Sequence, residues 1–598
     1  MTHPVRYLCW HHLRQVRALA WALALATTNA IAVDRYVALD APDGGANHYR
    51  TIARAMAAVQ PGDHVIIAAG LYRESIIFPK RDWTAASPTV IEGHGKVVID
   101  AADVVTGWTP VGGGVFYRDW PKESAQVSID GKSLVQVGGT VFGGYPDDPA
   151  NALKNILPGS AGIWPGRRSG DATTLSEGSF FYDRALKRLF LRTTDTDLDG
   201  HVVEVSSRAY GLLAQNVDFV EVNHLEFRHG NTSPIGRNGL VTLSGRHIIV
   251  DRVSVEQADS VGIEVDGDDN VIVDSSANYC GQLGMKARGS RMRIEGSETS
   301  YNNTRGFNKW WEAGGAKFVG EGGLYDSVVI GHTAIGNRGD GIWFDWGNQD
   351  NRIENNVVEY NSGFGIQYEA SSGAQIIGNR VIGNGQRGIY LPQSSRSLVR
   401  GNLVAANGLE GIAIVDEGRR DPTGKLDLKP RANAILNNLI AWNGSALTVP
   451  GTTPDIVSDG NVFVGLGGQL REWAGWAHPL DSFLTWRQQI GLDRHSIQIE
   501  QAISPAFANS LQEKQRNPDL GWVARLRATT GLPAAATRTL SIMIAPMTAA
   551  NYGTSPVLST PLFRWGQLHC VNRVMSKGCN DVESDTKPRI LAPRSHLL

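Results

Sequence analysis

Two sets of positions in the middle of this chain hold residue types that could do chemistry. Two residues on from a recurrent glycine stand Val241, Glu264, Lys286, Lys317, Trp343, Gln367, Tyr390 and Ala413. Four residues on stand Leu243, Asp266, Arg288, Val319, Asp345, Glu369, Pro392 and Val415. Both sets are bland at their ends and polar or aromatic in the middle. If each set is a column on stacked strands, equivalent side chains lie ~4.8 Å apart. Glu264, Asp266, Lys286, Arg288, Lys317, Trp343, Asp345, Gln367, Glu369 and Tyr390 then share one patch. A solvated face with compensating ion pairs would account for any single one of them. Asp345 and Glu369 ask for more, because like charges side by side on neighbouring strands are destabilising. Close carboxyls push their pKa values apart, so one keeps a proton near neutral pH while the other stays ionised. Retaining glycoside hydrolysis uses carboxyls about 5–5.5 Å apart, near one strand spacing. The expected chemistry is therefore hydrolysis by Asp345 and Glu369, one as acid and the other as nucleophile or base. Lys317 would tune that pair or touch substrate. No cofactor is required for it.

A second chemistry could use the same patch. β-Elimination from a uronic acid, or epimerisation at its C5, needs a base at C5 and a cation to neutralise the carboxylate. Lys286, Arg288 or Lys317 could be the base. Glu264 with Asp266, or Asp345 with Glu369, could hold a hard cation through oxygen ligands. Beside the patch lies YNNTRGFNKWWEA, residues 301–313. Its Trp310 and Trp311, with Trp343, could stack on sugar rings; alternatively Trp310 and Trp311 anchor their own loop. Trp473 and Trp476, further on, read as packing. A third reading has no turnover at all: a surface that binds polysaccharide.

The elements that must position these residues follow from the repeat. Glycine recurs at Gly239, Gly262, Gly284, Gly315, Gly341, Gly365, Gly388 and Gly411, in steps of 23, 22, 31, 26, 24, 23 and 23 residues. The first and third positions after it are mainly apolar: Leu240, Ile263, Met285, Ala316, Ile342, Ile366, Ile389, Ile412, then Thr242, Val265, Ala287, Phe318, Phe344, Tyr368, Leu391, Ile414. Alternation with period two predicts a short strand with those columns inward and the glycine, second and fourth positions outward. One short strand per roughly 23 residues predicts a stacked β-solenoid. Asn356, Asn379, Asn402 and Asn438 each precede another asparagine by five residues, at Asn361, Asn384, Asn407 and Asn443. Asparagine tolerates a left-handed corner, and its amide can bond its counterpart one coil away.

The phrases GDGIWFD, SGFGIQYE and QRGIYLP resemble the right-handed parallel β-helix repeat proteins of the pectin-lyase-like superfamily, over roughly Arg35 to Gly467. The resemblance implies an all-β, right-handed parallel β-helix and a carbohydrate-active protein. In family members that eliminate, Lys or Arg bases work on this face, often with Ca2+ held by acidic side chains, so a lyase would call for calcium. The run Trp311 to Lys317, then Gly341 to Asp345, then Tyr368-Glu369 resembles a recurrent signature of secreted β-helix proteins. It points at the same Lys317, Asp345 and Glu369 without naming a substrate.

The rest of the chain sets the context. Net charge is −2 and 19 % of residues are charged, which gives no nucleic-acid footprint. Residues 1–32 read as a signal peptide: Arg6, Arg14 and Arg17, an apolar run from Ala18 to Ala26, and cleavage after Ala32. The expected protein is secreted or periplasmic, with no membrane span in the mature chain. Residues 33–103 read as an N-terminal cap and first coils, with a helix over Tyr49 to Val59 covering the open end of the solenoid. Residues 104–207 break the register and read as an inserted small β subdomain; its hairpin-like phrase runs from Gly178 to Arg192 and resembles the insert of several β-helix glycosidases. Residues 208–467 are the main β-helix, interrupted by long loops at Tyr301 to Ala313 and Asp416 to Arg431. Residues 468–598 are a C-terminal cap, with a helix over Leu480 to Ile490, and a tail. Cys280 reads as a small buried hydrophobe, while Cys570 and Cys579 could pair in an oxidising compartment. No Cys/His metal spacing occurs, and substrate identity and oligomeric state are not written in the sequence.

Overall fold

The computed structural model describes residues 32–42, 45–83, 88–141, 166–167, 169–232, 238–319, 323–451, 455–465, 470–473, 478–479 and 483–499. All lie in one unit of the chain, residues 1–538. The expected signal segment up to Ile31, and everything from Glu500 onward with Cys570 and Cys579, fall outside the described residues, as does Trp476. Each coil contributes up to three short strands, for example Asp340–Asp345, Arg352–Glu354 and Val357–Glu359. Each pairs in parallel with its equivalent one coil on, so the chain winds into a parallel β-helix with sheets of 14, 17 and 7 strands. The solenoid is almost all β; the described residues hold three short α-helices.

The inward columns build the core as the period requires. Ile342, Ile366, Ile389 and Ile412 are fully buried, as are Phe318, Phe344 and Tyr368. Those three rings pack tilted against one another, at 4.8 and 5.4 Å between centroids. The first coil departs from the expected register. Val241 pairs with Ile263 and Thr242 with Glu264, so Thr242, not Val241, stands in the outward column. A one-residue slip exchanges the two faces of a strand. The asparagines form two buried ladders. Nδ2 of Asn356, Asn379, Asn402 and Asn438 each donates to Oδ1 one coil on, at 2.9–3.0 Å, ending at Asn461. The left-handed corner falls one residue earlier, at Asn355, Tyr360, Ala406, Asn437 and Trp442. The ladder asparagine is thereby free to point inward and receive the backbone N–H of its neighbour.

At the N-terminal end the helix is seven residues, Ile52–Ala58. Thr51 caps its start, Glu74 accepts from the N–H groups of Ile52 and Ala53, and Ile52, Ala55 and Met56 are buried. That it closes the solenoid's end is our proposal for it. At the other end Phe483–Gln489 is helical, with Trp486 fully buried and donating to Asp493 at 3.0 Å. Between residues 101 and 207 the described strands pair antiparallel, except Val135–Gln136, which runs parallel to Ser179–Asp183. Ser179–Asp183 pairs with Arg188–Arg192, which pairs with Val115–Asp119, and Phe116, Phe180, Leu189, Leu191, Val203 and Val205 form a separate core. Residues 142–165, including Trp164, lie outside the described residues. The two ends of this insert meet: the amides of Ser207 and Arg208 both donate to the carbonyl of Ala101 at 3.0 Å. Cys280 is a buried free thiol, pushed by burial up to about 12. No helix among the described residues is long and apolar enough to cross a membrane.

Candidate active site on the outer face of the main sheet

The 14-stranded sheet places the second and fourth positions where the period puts them. Lys317 pairs with Trp343, Trp343 with Gln367, Gln367 with Tyr390, and Asp345 with Glu369. Asp345 and Glu369 therefore stand directly side by side on adjacent strands. Lys317 Nζ lies 3.0 Å from Asp345 Oδ2 and 3.4 Å from the centroid of the Trp343 ring, and it also donates to the carbonyl of Trp311. Glu369 accepts from Arg419 Nη1 at 2.6 Å, Gln367 Nε2 at 2.7 Å and Trp343 Nε1 at 2.9 Å. Burial raises its pKa, the Asp345 charge raises it further, and Arg419 and Lys317 oppose them. The two carboxyls of the pair thus sit in unlike surroundings. Asp345 is the more exposed of them, at 20 % against 13 %.

The N-terminal part of the expected patch is a row of closed ion pairs. Lys286 Nζ is 3.1 Å from Glu264 Oε1, and Glu264 Oε2 also accepts from the Gly239 amide. Arg288 Nη2 is 2.7 Å from Asp266 Oδ2. Of the tryptophans, Trp310 packs edge-on against Phe364 at 5.8 Å, beneath Lys309 Nζ at 4.8 Å from its ring. It anchors its loop. Trp343 is 6 % exposed under Lys317, and Trp311 is half exposed at 50 %. Tyr390 is buried and donates to Glu417 Oε1 at 2.6 Å.

Several groups at this site escaped the sequence pattern. The recurrent glycine does not point outward: a Cβ on Gly341 would stand 2.4 Å from Val358 Cγ1 and 2.8 Å from Asn361 Nδ2, both interior. The residue before the glycine faces out instead, adding a column of Asp340, Phe364, Arg387 and Glu410. Asp340 is buried, accepts from the Phe364 amide at 2.7 Å, and is pushed by burial up to about 7. Arg387 Nε pairs with Glu410 at 2.8 Å and its guanidinium lies 4.3 Å over the Tyr390 ring. Three charged residues at that offset, in coils 340, 387 and 410, were the available signal. Arg419 and Glu417 come from the long loop after Val415, which folds back over the sheet; its length marked the loop, but nothing in the sequence showed where it lands. Residues 301–313 close the other edge of the strands, where Arg305 bridges Asp259 on the solenoid and Gln136 on the insert. Among the described residues one buried group of possible metal ligands stands out, Asp100, Glu204 and His229. Arg73 and Arg228 already fill it, at 2.6–3.3 Å from its carboxylates.

The family described as "Right handed beta helix region" matches residues 238–404. Among solved structures, "The complex structure of XylC with xylose" is 14 % identical, with a TM-score of 0.48 over 78 % of this chain and 82 % of that one. A "Glycoside hydrolase" is 12 % identical, with a TM-score of 0.42 over 81 % and 98 %. The Azotobacter vinelandii mannuronan C-5 epimerase AlgE4 A-module is 13 % identical, with a TM-score of 0.33 over 76 % and 92 %. No curated protein matches the chain by sequence.

Proposed function

We propose that this right-handed parallel β-helix is an exported carbohydrate-active enzyme that hydrolyses a glycosidic bond on the outer face of its main sheet. The observation that carries the reading is the register pair Asp345 and Glu369. Burial and the neighbouring charge favour a proton on Glu369. Asp345 lies 3.0 Å from the Lys317 ammonium and is the more exposed carboxyl of the two. Glu369 is then the acid that protonates the leaving oxygen, and Asp345 the nucleophile that attacks the anomeric carbon. Water, deprotonated by Glu369 in its second role, releases the sugar from Asp345. Neighbouring strands put the pair ~4.8 Å apart at the backbone, which suits the short carboxyl separation of retaining enzymes. Half-exposed Trp311 offers an apolar face to a sugar ring beside Lys317.

Elimination or C5 epimerisation fits less well. Each cation offered as base is engaged by a carboxylate: Lys286 by Glu264, Arg288 by Asp266, Lys317 by Asp345. The deciding experiment is a reducing-end and near-ultraviolet assay over neutral and uronic-acid polysaccharides, with Asp345→Asn and Glu369→Gln alongside. New reducing ends without absorbance, falling by about 10²–10⁴-fold in either variant, support hydrolysis by the pair. Absorbance appearing with cleavage rejects hydrolysis and turns attention to Lys317 or Lys286. Ligand retained without reducing ends, in wild type and variants alike, makes the protein a binding solenoid.

A further inference from the structure

The column that holds Asp345 and Glu369 is open on one side of the pair and closed on the other. Ser244, Asp266, Arg288 and Val319 precede the pair in successive coils, and each keeps part of its surface exposed, as do Asp345 and Glu369. Pro392, Val415 and Pro450 follow it, and all three are buried. The change is abrupt, falling between Glu369 and the very next coil. Two residues earlier on the same strands, the neighbouring column is buried on both sides of the pair, at Glu264, Lys317, Trp343, Gln367, Tyr390 and Ala413. The open surface is therefore a lane about one side chain wide. Six coils at ~4.8 Å give it a length of roughly 24 Å.

The loop after Val415 covers the closed side. Buried Gln393 holds it down: its Nε2 donates to the carbonyl of Leu428 at 2.5 Å, and its Oε1 accepts from the Glu417 amide. Tyr390 donates to Glu417 Oε1 at 2.6 Å, and Arg419 reaches back a coil to Glu369 Oε1 at 2.6 Å. Leu426 lies further back again, its Cδ1 3.8 Å from where a Cβ on Gly347 would stand. The loop thus crosses the lane just beyond the pair. We propose, on the reading of Asp345 and Glu369 as a hydrolytic pair, that the protein takes its polysaccharide by a chain end and removes the terminal sugar. A chain cut at an internal bond must continue on both sides of the pair. Towards Ser244 the lane offers it four more coils, with the half-exposed Arg288 guanidinium, held at 2.7 Å by Asp266, presenting further N–H groups to sugar hydroxyls. Towards Pro392 the room ends within about one strand spacing, ~4.8 Å, which takes no more than one sugar.

The test follows product length and viscosity with the full chain acting on xylan, β-glucan, mannan, polygalacturonate and alginate, and on an end-labelled hexasaccharide of each. Single sugars from the earliest times, with viscosity nearly constant while reducing ends accumulate, are the expected result. Viscosity that collapses with the first reducing ends, and products of intermediate length, overturn the closed end while leaving hydrolysis intact. Silence from every polymer and hexasaccharide overturns the hydrolytic reading, and this inference falls with it. Replacing residues 417–427 with a Gly-Ser-Gly linker removes the cover, and circular dichroism checks that the variant is folded. The share of internal cuts, a ratio independent of the overall rate, should then rise at least tenfold. An unchanged product pattern in the folded variant overturns the loop's part in closing the lane.

Discussion

Asp340 and His332 are buried titratable groups with opposite consequences for pH. Asp340 in the fold is pushed up to about 7, above its unfolded value of about 3.9. The native state binds the proton more tightly, so this group's contribution is complete below about pH 4 and is lost as pH rises to about 7. His332 is fully buried, pushed by desolvation down to about 3, and only its Nε2 finds a partner, Thr299 Oγ1 at 2.8 Å. Its contribution is complete above about pH 6.5 and is lost as pH falls toward 3. Thermal melts of Asp340→Asn should therefore gain on wild type as pH rises from 5 to 8. Those of His332→Asn should gain as pH falls from 6.5 to 4. Pairs of melts with parallel pH dependence would contradict either assignment. Arg419 belongs to the same scale. It lowers the Glu369 pKa, so Arg419→Ala should move the alkaline limb of the kcat/KM profile upward, which a pH–rate series will read. At this scale the sequence displayed Asp345, Glu369 and Lys317 because their period is unbroken. Asp340 is hidden because strict period-two alternation turns the glycine beside it outward, and Arg419 because loop landing depends on three-dimensional closure.

The strand, the corner and the ladder work as one repeated element. Asn384 accepts from the backbone amide of Asn361 at 3.1 Å and from its side chain at 2.9 Å, donates to Asn407 at 2.9 Å, and donates to the carbonyl of Val358 at 3.1 Å. Asn384→Ala strands several buried groups at once, and should cost about 2–4 kcal/mol in urea unfolding. Asn384→Asp sets a buried carboxylate against the Val358 carbonyl and Asn407 Oδ1, and should cost at least as much as alanine. A cost near zero for Asn384→Ala would mean that the ladder decorates the helix rather than holding it. The ladders were legible because asparagine at a fixed spacing has few other uses. The left-handed corner was misplaced by one residue, since tyrosine, alanine and tryptophan at Tyr360, Ala406 and Trp442 give no sign of a positive φ. Here the stack's own hydrogen bonds override local preference.

In the described part of the molecule, two kinds of order are joined at a seam. The solenoid repeats, so periodicity alone revealed its core from Ile263 to Ile414. The insert does not repeat, and only its hairpin phrase showed through. Its attachment rests on a polar cluster of Asp100, Glu204, His229, Arg73 and Arg228, brought together from segments far apart in sequence. Because Ala101 bonds Ser207 and Arg208, replacing residues 103–206 with a short flexible linker should leave the β-sheet circular dichroism intact while lowering Tm. Loss of the sheet signal would show that the insert is part of the solenoid's foundation.

That seam also sets a timetable for synthesis. The strand Thr89–Asp100 is made before the insert, but its parallel partners Val220–Asn223 and Glu226–Arg228 come after it. At ribosomal rates of about 5–20 residues per second, the nascent first coils wait on the order of 5–20 s with that edge unpaired. An open parallel edge invites pairing with another chain. The insert, whose hairpins are local and close quickly, is the segment made during that wait.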